Sequence, residues 1–492
     1  MNKKILKFIL FITILVSMIE CTDNKSAGES IQFDPNNPIE IKGFYPDSGG
    51  IATPMIVEGT NFGTDTTGLR VYFEDVDGIK HAAGLVSSNG NKIYLYVPSG
   101  LTYKREMNIL VSRVQPDGKE FEGKANKQFL YKTQTSVTTV VGQAQPDNTS
   151  LPTVGGDLIT STLSAPLYIC LDDEDNIFIT EHQMTGGVSQ PPGVNVIARD
   201  DKGNPSSNIV MASLASNSVV VLNYASVNQI VDAPAFSNEK DKEAVYVPDD
   251  MGVSFYEMFK SLSYAPRYKS VLKNEETASI DENNWKQCFV VNVLDHYIYT
   301  VMNKGQLVKI NPKTRTCEIL LTLVGKDQGD QFIAFSPVPG QENMLYVCQS
   351  RRQSIWRVDV GKLTPEQKDT YHGEPYAGKA ITEGEVAGKG WEDGLLDRAK
   401  FNFPRQICFT SEGKLYIADS GNHCIRVIDT SVPKEKATVT TAIGLPGAPG
   451  YKDGGPDIAK FNFPNGVAVS ADGQIVYVAD TQNKVIRKLS IE

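Results

Sequence analysis

Short apolar runs separated by turn residues follow one another along most of the chain. Near the C-terminus, Gln406–Thr410 ends at the turn Ser411–Gly413, and the next run, Leu415–Ala418, ends at Asp419. A third run, Ile425–Ile428, alternates apolar with basic residues, which is typical of a strand with one solvated face. The pattern predicts an all-β protein made of short antiparallel strands.

The same group of strands is written twice near the C-terminus. Trp391–Arg426 and Tyr451–Arg487 both carry a D-G turn, an A-K-F-N-F-P run and a Y-[IV]-A-D run. A fourth run, Thr438–Ile443, is rich in Thr and Val, as suits an outer strand. Four antiparallel strands in a unit that is used repeatedly predict the blade of a β-propeller.

Weaker copies of this unit extend upstream and bring the predicted number of blades to six, over residues 137–492. The last two blades are the repeats just described. The earlier strands are assigned as Leu163–Cys170, Asn176–Glu181 and Val194–Arg199 in the first blade, Val219–Leu222 and Ala244–Val247 in the second, Phe289–Val293, Tyr297–Val301, Leu307–Ile310 and Thr316–Leu323 in the third, and Phe332–Phe335, Met344–Gln349 and Ser354–Val358 in the fourth. The second blade is expected to carry an insertion, Met251–Lys273.

Closure of the ring is predicted from the two ends of this region. The chain stops after the third strand of the last copy, so that blade lacks an outer strand. Val137–Gly142 nearly duplicates Val439–Gly444 and precedes the first blade. We expect the N-terminal strand to pair onto the last blade, which removes an exposed sheet edge.

The repeated motifs resemble those of NHL-repeat propellers. The resemblance is carried by D-G…A-x-F-N-x-P, by [LV]-Y-[IV]-A-D-[ST]-x-N and by the I-R that follows. It implies a propeller fold with ligands or partner proteins bound at the face where loops meet over the central channel. It does not imply one particular activity, because a fold alone does not fix function.

Residues 38–133 have a different pattern, with strands at the spacing of a β-sandwich. The segments P-x-S-G-G, ending at Gly50, and I-V-x-G-T-N-F-G, ending at Gly63, resemble the IPT/TIG immunoglobulin-like domain. The resemblance covers the whole stretch and implies a spacer or adhesion module. The expected fold class is therefore an immunoglobulin-like sandwich followed by a six-bladed propeller.

The N-terminus has the pattern of a secretory signal. Met1–Lys4 is basic, and the apolar run Ile5–Ile19 leads to Cys21. Ser17–Cys21 resembles a lipobox, although Glu20 stands where a small residue is usual. We expect residues 1–21 to be a lipoprotein signal peptide with Cys21 as the acylation site; a plain secreted protein is the alternative.

A polar tether, residues 22–37, is expected to follow the anchor. Asp23 resembles the acidic surface-export tag of some outer-membrane lipoproteins. The expected location is the outer membrane or cell surface, with a lipid as the single membrane attachment. The other six cysteines are scattered singly in strand-like runs without C-x-x-C, so we expect small buried hydrophobes.

Candidate ligand residues are those in loops between second and third strands and in loops that lead into inner strands. Both loop types emerge on one face of a propeller, which we call the upper face. The candidates are Tyr168, Glu181, His182, Asp249, Arg351, Arg352, Trp391, Arg405, Asp419, His423 and Asp480.

Each candidate also has a structural interpretation. Asp419 and Asp480 suit a central metal ion, or they cap their own turns. The histidines suit zinc, yet no two share ligand spacing. Trp391 and Tyr451 suit stacking on sugar rings, or they fill the gap between blades. Arg351, Arg352 and Arg405 suit an anionic or polyhydroxylated ligand, or they are solvated surface charges.

Departures from the repeat are expected to mark function. They are the loop Gln183–Gly193 and the second-blade insertion, whose aromatic residues are Tyr256, Phe259, Tyr264 and Tyr268. No G-x-S-x-G, H-E-x-x-H or phosphate loop is present, so no nucleophile is apparent.

The leading hypothesis is a non-catalytic, lipid-anchored envelope protein that holds a polysaccharide or oligosaccharide near outer-membrane transporter proteins. No cofactor is expected, with a divalent cation as the alternative. The net charge of −10, without a basic block beyond the N-terminus, argues against nucleic acid. Two other hypotheses stay open: a metal-dependent lactonase-like hydrolase or lyase, and a protein–protein scaffold.

Overall fold

The structure is a computed structural model that describes residues 31–491 with gaps. The gaps are residues 50–52, 77, 99–105, 132–134, 146–151, 183–206, 225–230, 250–252, 275–276, 278–279, 281–285, 287, 324–330, 369, 379–387, 457 and 474. Within the described ranges the protein is all-β, and its helical residues form short 3-10 turns. No helix in this part of the chain is long and apolar enough to cross a membrane.

The chain divides into two compact units, residues 1–134 and residues 135–491. The first unit contains two sheets, with strand orders β1-β3-β7-β6 and β2-β9-β8-β4-β5. Its strands are β1 (Glu40–Tyr45), β2 (Ser48–Gly49), β3 (Pro54–Gly63), β4 (Leu69–Glu74), β5 (Lys80–Ala82), β6 (Gly84–Ser88), β7 (Gly90–Tyr96), β8 (Glu106–Val114) and β9 (Glu120–Tyr131).

The two sheets of this unit bury one shared core. Val57 and Ile93 from the first sheet pack with Phe73, Ile109 and Phe129 from the second. Buried and solvated positions alternate along β4, as the period-2 geometry of a strand requires. The assignment of this unit to the immunoglobulin-like IPT/TIG family stays a prediction.

The described residues of the second unit form six sheets, numbered here in chain order. Sheet 1 comprises β11 (Pro166–Leu171), β12 (Asn176–His182), β13 (Ser207–Ser213) and β14 (Ser218–Tyr224). Sheet 2 comprises β15 (Ala235–Ser237), β16 (Ala244–Pro248), β17 (Phe255–Phe259) and β18 (Arg267–Lys269). Sheet 3 comprises β19 (Val290–Val291), β20 (Ile298–Val301), β21 (Gln306–Asn311) and β22 (Thr316–Thr322).

Sheet 4 comprises β23 (Gln331–Phe335), β24 (Met344–Gln349), β25 (Ser354–Asp359) and β26 (Glu374–Ala377). Sheet 5 comprises β28 (Pro404–Phe409), β29 (Lys414–Asp419), β30 (Cys424–Asp429) and β31 (Thr438–Ile443), with β27 (Gly394–Leu395) added outside β31. Sheet 6 comprises β32 (Pro464–Val469), β33 (Ile475–Asp480), β34 (Val485–Ile491) and β10 (Thr135–Val141).

The first strand of each sheet is the inner strand, and the inner strands form a closed cycle. β11 contacts β15, and contacts continue through β19, β23, β28 and β32 back to β11. The inner strand β11 is buried at every position, because it has neighbours on both faces. Hydrophobic side chains fill the space between adjacent sheets, for example Tyr416 of sheet 5 with Val467 and Val478 of sheet 6.

Closure by the N-terminal strand is present as predicted. β10 pairs antiparallel with β34, with Val137 opposite Leu489 and Thr139 opposite Arg487. Sheet 6 therefore receives its outer strand from the other end of the second unit.

Two assignments from the sequence are wrong. Val219–Leu222 belongs to β14, the outer strand of sheet 1, and not to the second sheet. Met251–Lys273 is not an insertion, because it supplies β17 and β18, the third and fourth strands of sheet 2. The predicted strand Val194–Arg199 lies outside the described residues; the third strand described in sheet 1 is β13.

Candidate functional site

The repeated motif forms one buried hydrogen-bonded cluster in sheet 5. Asp419 ends β29, and its Oδ1 accepts from the backbone N–H of Asn402 at 2.8 Å. Its Oδ2 accepts from Asn422 Nδ2 and from an Arg426 guanidinium nitrogen, each at 2.8 Å. Asp419 and Arg426 are both 0% exposed. The pair is stable in the interior because the charges meet each other and further hydrogen bonds.

The same arginine also holds the D-G turn and the segment before the inner strand. Arg426 donates to Asp393 Oδ1 at 2.6 Å and to the backbone oxygens of Glu392 and Lys400, both at 2.9 Å. Its Cζ lies 5.2 Å from the centroid of the Phe401 ring. Segments that are far apart in the repeat therefore meet at one side chain.

Sheet 6 repeats this arrangement around Arg487. Asp480 accepts from the N–H of Asn462, from Asn483 Nδ2 and from Arg487, each at 2.8 Å. The Arg487 guanidinium lies 5.0 Å from both the Tyr451 and the Phe461 ring centroids. Burial raises the pKa of Asp480 to about 6, while Arg487 and the hydrogen bonds oppose that shift.

Asp419 and Asp480 are thus enclosed, and neither faces solvent. They also do not cap their own turns in the way expected from the sequence, since neither accepts a capping hydrogen bond from the backbone of the turn that follows. What each carboxylate fixes is the backbone just before the inner strand, together with an asparagine side chain in the turn.

Glu181 occupies the equivalent place in sheet 1 without an arginine. Its Oε1 accepts from the N–H of Ser164 at 2.9 Å, and its Oε2 accepts from Thr153 Oγ1 and from Asn208 Nδ2. The position that Arg426 has in sheet 5 is Val210 here. Burial raises the pKa of Glu181 to about 7, against the effect of these hydrogen bonds.

Asp249 is the equivalent residue of sheet 2 and is also buried. Its Oδ2 accepts from the Tyr268 hydroxyl at 2.9 Å, and its backbone oxygen accepts from Nζ of the buried Lys286. Tyr268 packs edge-on against Tyr256 at 5.4 Å. Three of the four aromatic residues that the sequence marks as an insertion, Tyr256, Phe259 and Tyr268, thus lie in strands of the sheet, and Tyr264 lies in the turn between those strands.

Side chains fill the centre of the cycle of inner strands. Tyr168 from sheet 1 is 2% exposed, and its ring centroid lies 5.0 Å from that of Phe332 in sheet 4. Arg405 from sheet 5 donates to the Tyr168 hydroxyl at 3.1 Å. Tyr168 therefore offers no ring face to a ligand above it, whereas Arg405 is half-buried at the upper end.

His423 connects sheets 5 and 6. It follows the turn of sheet 5 with φ 58°, and its Nδ1 accepts from the N–H of Phe463 at 3.1 Å. Gln353 has the same position after the turn of sheet 4, and its Oε1 accepts from the N–H of Phe403 at 2.5 Å. Burial lowers the pKa of His423, which favours the neutral ring that an Nδ1 acceptor requires.

Trp391 and Tyr451 lie at the outer edges of sheets 5 and 6. Trp391 Nε1 donates to Thr441 Oγ1 of β31 at 3.0 Å, and the Tyr451 hydroxyl is 2.7 Å from Thr139 Oγ1 of β10. They are 50% and 39% exposed. Both rings are open to solvent, but they lie away from Tyr168 at the centre.

Arg351 and Arg352 lie on the 3-10 turn Ser350–Arg352 at the upper end of sheet 4. Arg351 is exposed and Arg352 is half-buried. Neither guanidinium forms an ion pair with any residue that the structure describes. Burial lowers the pKa of Arg352. Of the predicted candidates, Arg351, Arg352 and Arg405 are those that combine positive charge with access to solvent at the upper ends.

Sequence reasoning missed Gln331, the first residue of β23. It is 3% exposed, and in the described part of the chain both its amide atoms lack a hydrogen-bond partner. The sequence contains a signal for this residue: a glutamine stands where the matching positions of sheets 5 and 6 have Pro404 and Pro464.

Other candidates do not converge. The loop Gln183–Gly193 lies outside the described residues, and so does the side chain of His182. His372 Nδ1 lies 2.6 Å from the backbone oxygen of Thr322. Over the described ranges, no group of three or more His, Cys, Asp or Glu side chains is placed to hold a metal ion. The six described cysteines are unpaired, and burial raises the pKa of Cys288 to about 12.

Comparison with known proteins finds sequence similarity over part of the chain. Residues 401–428 match the NHL repeat family. A 101-residue segment is 39% identical to NHL repeat-containing protein 2 of Gallus gallus, and 146 residues are 30% identical to protein SUPPRESSOR OF QUENCHING 1, chloroplastic, of Arabidopsis thaliana. These matches cover 20% and 30% of this chain and 13% of each relative.

Solved structures are similar over nearly the whole chain. An auxiliary nutrient binding protein from Bacteroides ovatus has 20% identity and a TM-score of 0.62, with 94% of this chain and 100% of that chain covered. Another, from Bacteroides thetaiotaomicron, has 21% identity and a TM-score of 0.56, with 94% and 99% covered. At these identities the likeness concerns the fold. The chain thus contains an NHL repeat within an all-β fold whose structural neighbours are β-propeller-like proteins.

Proposed function

We propose that this chain is a non-catalytic, lipid-anchored protein of the bacterial cell envelope that binds a glycan and assists polysaccharide uptake. In this proposal Cys21 carries the anchor, and residues 38–133 are an IPT/TIG immunoglobulin-like stalk. The six sheets of the second unit are the blades of an NHL propeller, and β10 closes the ring. The propeller's upper face holds an oligosaccharide near an outer-membrane transporter.

The observation that carries the proposal is the enclosure of the upper-end carboxylates. Glu181, Asp419 and Asp480 are each 0% exposed and accept hydrogen bonds inside their own sheets. A general acid or base has to come within hydrogen-bond reach of its substrate. These groups support the backbone instead, which favours contact with a ligand at the surface over chemistry in a channel.

The filled centre adds to this argument. The rings of Tyr168 and Phe332 come from sheets 1 and 4, which are opposite each other in the cycle of inner strands, and their centroids lie 5.0 Å apart. Exposed polar and cationic side chains remain on the upper ends, and Trp391 and Tyr451 present aromatic surface at the outer edges. Such surfaces suit recognition of an extended polymer, which touches a face and does not need a deep pocket.

The structural neighbours support the same class of function. Two of them are described as auxiliary nutrient binding proteins from Bacteroides, and the likeness spans both units of this chain. A shared architecture does not transfer a ligand. It does make an accessory binding protein the natural first hypothesis to test.

The test is affinity electrophoresis of the purified protein in gels that contain soluble polysaccharides, followed by chromatography of each mixture. We expect retardation by at least one polysaccharide and no release of shorter sugars. Free migration in every gel would contradict glycan binding, and release of oligosaccharides would contradict a non-catalytic role. A heat-denatured sample is the control for trapping in the gel.

A further inference from the structure

The turns that follow the second strands of sheets 4, 5 and 6 have one backbone conformation. They are Ser350–Arg352, Ser420–Asn422 and Thr481–Asn483. In each case the next residue is left-handed, and its N–H donates to the backbone oxygen of the first turn residue at 3.1–3.2 Å. Side chains at matching places in the three turns are therefore comparable.

In sheets 5 and 6 the third turn residue has a structural task. Asn422 Nδ2 donates to Asp419 and to the backbone oxygen of Gly390, both at 2.8 Å. Asn483 makes the same pair of bonds, at 2.8 Å to Asp480 and 2.9 Å to the Gly450 oxygen. The asparagine thus ties the turn to the carboxylate beneath it.

Sheet 4 has neither the asparagine nor the aspartate of this hydrogen-bonded pair. Arg352 stands where the sister turns have asparagine, and Gln349 stands where they have aspartate. Trp356 replaces the arginine that neutralises the aspartate in sheet 5. The turn of sheet 4 keeps its backbone conformation without the asparagine–aspartate hydrogen bond, so Arg352 is not needed to maintain that conformation.

The positive charge of Arg352 is not balanced by the described residues around it. Its Nε is buried and has no hydrogen-bond partner in the described part, and desolvation alone lowers its pKa. Arg351 beside it is exposed. A half-desolvated cation would be stabilised by an anionic ligand that forms charge-assisted hydrogen bonds with it.

Gln331 adds a second observation at the same end of the same sheet. It pairs across the strands with Gln349, the residue that precedes the turn. It is 97% buried, and its amide lacks a partner in the described ranges. A buried amide without a partner is destabilising, so the donor and the acceptor of Gln331 are available for hydrogen bonds to a ligand.

Further positive charge borders the turn. Gln353, next after Arg352, accepts from the N–H of Phe403, and Lys389 Nζ lies 4.8 Å from the Phe403 ring centroid. Two residues beyond Phe403 comes Arg405. Lys389 and Arg405 thus add positive charge to the segment that contacts the turn of sheet 4.

We propose that Arg351, Arg352 and Gln331 form a subsite for an anionic group, a carboxylate or a sulfate, on the captured glycan. The inference rests on the proposed function and narrows it to acidic polysaccharides. Paired guanidinium groups bind such anions through parallel N–H···O bonds. The Gln331 amide donates to the anion or exchanges hydrogen bonds with an adjacent sugar hydroxyl.

The test compares charged and uncharged forms of related polymers by isothermal titration calorimetry and affinity electrophoresis. Polygalacturonate and carrageenan are the carboxylated and sulfated probes; methyl-esterified polygalacturonate and neutral galactan are their uncharged counterparts. We expect one charged probe to bind at least about tenfold more tightly than its counterpart, with affinity that falls as NaCl is raised.

The double variant Arg351→Gln/Arg352→Gln is expected to lose about tenfold or more of that affinity. Arg351→Lys/Arg352→Lys retains the charge but not the planar fork and should fall between. The matched control is Gln482→Ala, at the place of Arg351 in the turn of sheet 6, with binding unchanged. Unaltered binding by the double Gln variant would overturn the subsite.

The variant Gln331→Leu distinguishes a role of the Gln331 amide in ligand binding from a role in stability. Since the amide has no described partner, the leucine should leave the melting temperature unchanged or raise it while affinity for the charged probe falls. Loss of stability with full affinity would refute the assignment. Preference for uncharged glycans would refute the subsite but leave the proposed function standing, whereas failure to bind any polysaccharide would remove both.

Discussion

At the scale of the residue, Arg426 and Arg487 explain the spacing of the repeated motifs. Each guanidinium binds the aspartate that ends the second strand, the aspartate of the D-G turn and two backbone oxygens. Truncation of a fully buried arginine would leave Asp419 or Asp480 buried without its charge partner, which is strongly destabilising. The motif is thus a packing unit, and its carboxylates are poor candidates for ligand binding.

Glu181, which lacks such an arginine, should make stability depend on pH. Its pKa rises from an ordinary 4.5 to about 7 in the fold, so the protonated form is favoured by folding. This contribution is fully present below pH 4.5 and is lost as the pH rises through about 7. The shift corresponds to about 3 kcal/mol.

Glu181→Gln is expected to flatten this dependence. As the pH rises from about 5 to about 8, the wild type should lose stability that the variant keeps. The free energy of unfolding of the variant should therefore rise relative to that of the wild type by up to about 3 kcal/mol, measured by urea denaturation of both proteins. The quantity to compare is the change with pH in the difference between the two free energies of unfolding. The variant loses the acceptor of the Asn208 hydrogen bond at every pH, so that loss shifts its curve without changing the curve's slope. Parallel curves would show that Glu181 is already ionised in the fold.

At the scale of the element, the closing strand β10 is held like the ordinary outer strand β31. Asp453 accepts from the N–H of Thr139 at 2.9 Å and from its Oγ1 at 3.3 Å. Asp393 accepts from Thr441 in the same way, at 3.0 and 3.2 Å. The difference is covalent: β31 follows β30 along the chain, whereas β10 reaches sheet 6 from the opposite end of the unit.

Asp453→Ala should therefore be more damaging than its matched control, Asp393→Ala. Each change removes hydrogen bonds to charged groups worth about 1.5–3 kcal/mol. We expect Asp453→Ala to lower the melting temperature further and to abolish hydrogen-exchange protection at 135–141, because β10 does not follow its partner strand β34 along the chain and opens locally more easily than β31. Equal protection of 135–141 in both variants would contradict this expectation.

At the scale of the whole molecule, the second unit should be stable without the first only if it keeps β10. A chain beginning at Thr135 retains all four strands of sheet 6, and one beginning at Pro152 exposes the edge of β34. The longer chain should melt cooperatively as a monomer, and the shorter should melt earlier and aggregate. Calorimetry and size-exclusion chromatography distinguish them; identical behaviour would show that closure adds no stability.

Prediction from sequence succeeded where a motif recurs. Sheets 5 and 6 follow from two copies of one pattern, and the strands of sheet 3 and the first three strands of sheet 4 follow from apolar runs bounded by turns. Sheet 2 was misread because Tyr256, Phe259 and Tyr268 carry none of the repeated residues. Their alternation still encodes strands, yet without a sister copy it resembled a departure from the repeat.

In sheets 3 to 6 the order of the first three strands, and hence which residues come to the upper ends, was determined by the sequence alone. Access to solvent at those ends was decided by the tertiary structure. Tyr168 is covered because Phe332 and Arg405 reach it from other sheets. His423 Nδ1 is not available to a ligand because it accepts a hydrogen bond from the N–H of Phe463, just before the next sheet. Burial depends on neighbours that are distant in the chain, so local patterns place a side chain without showing what covers it.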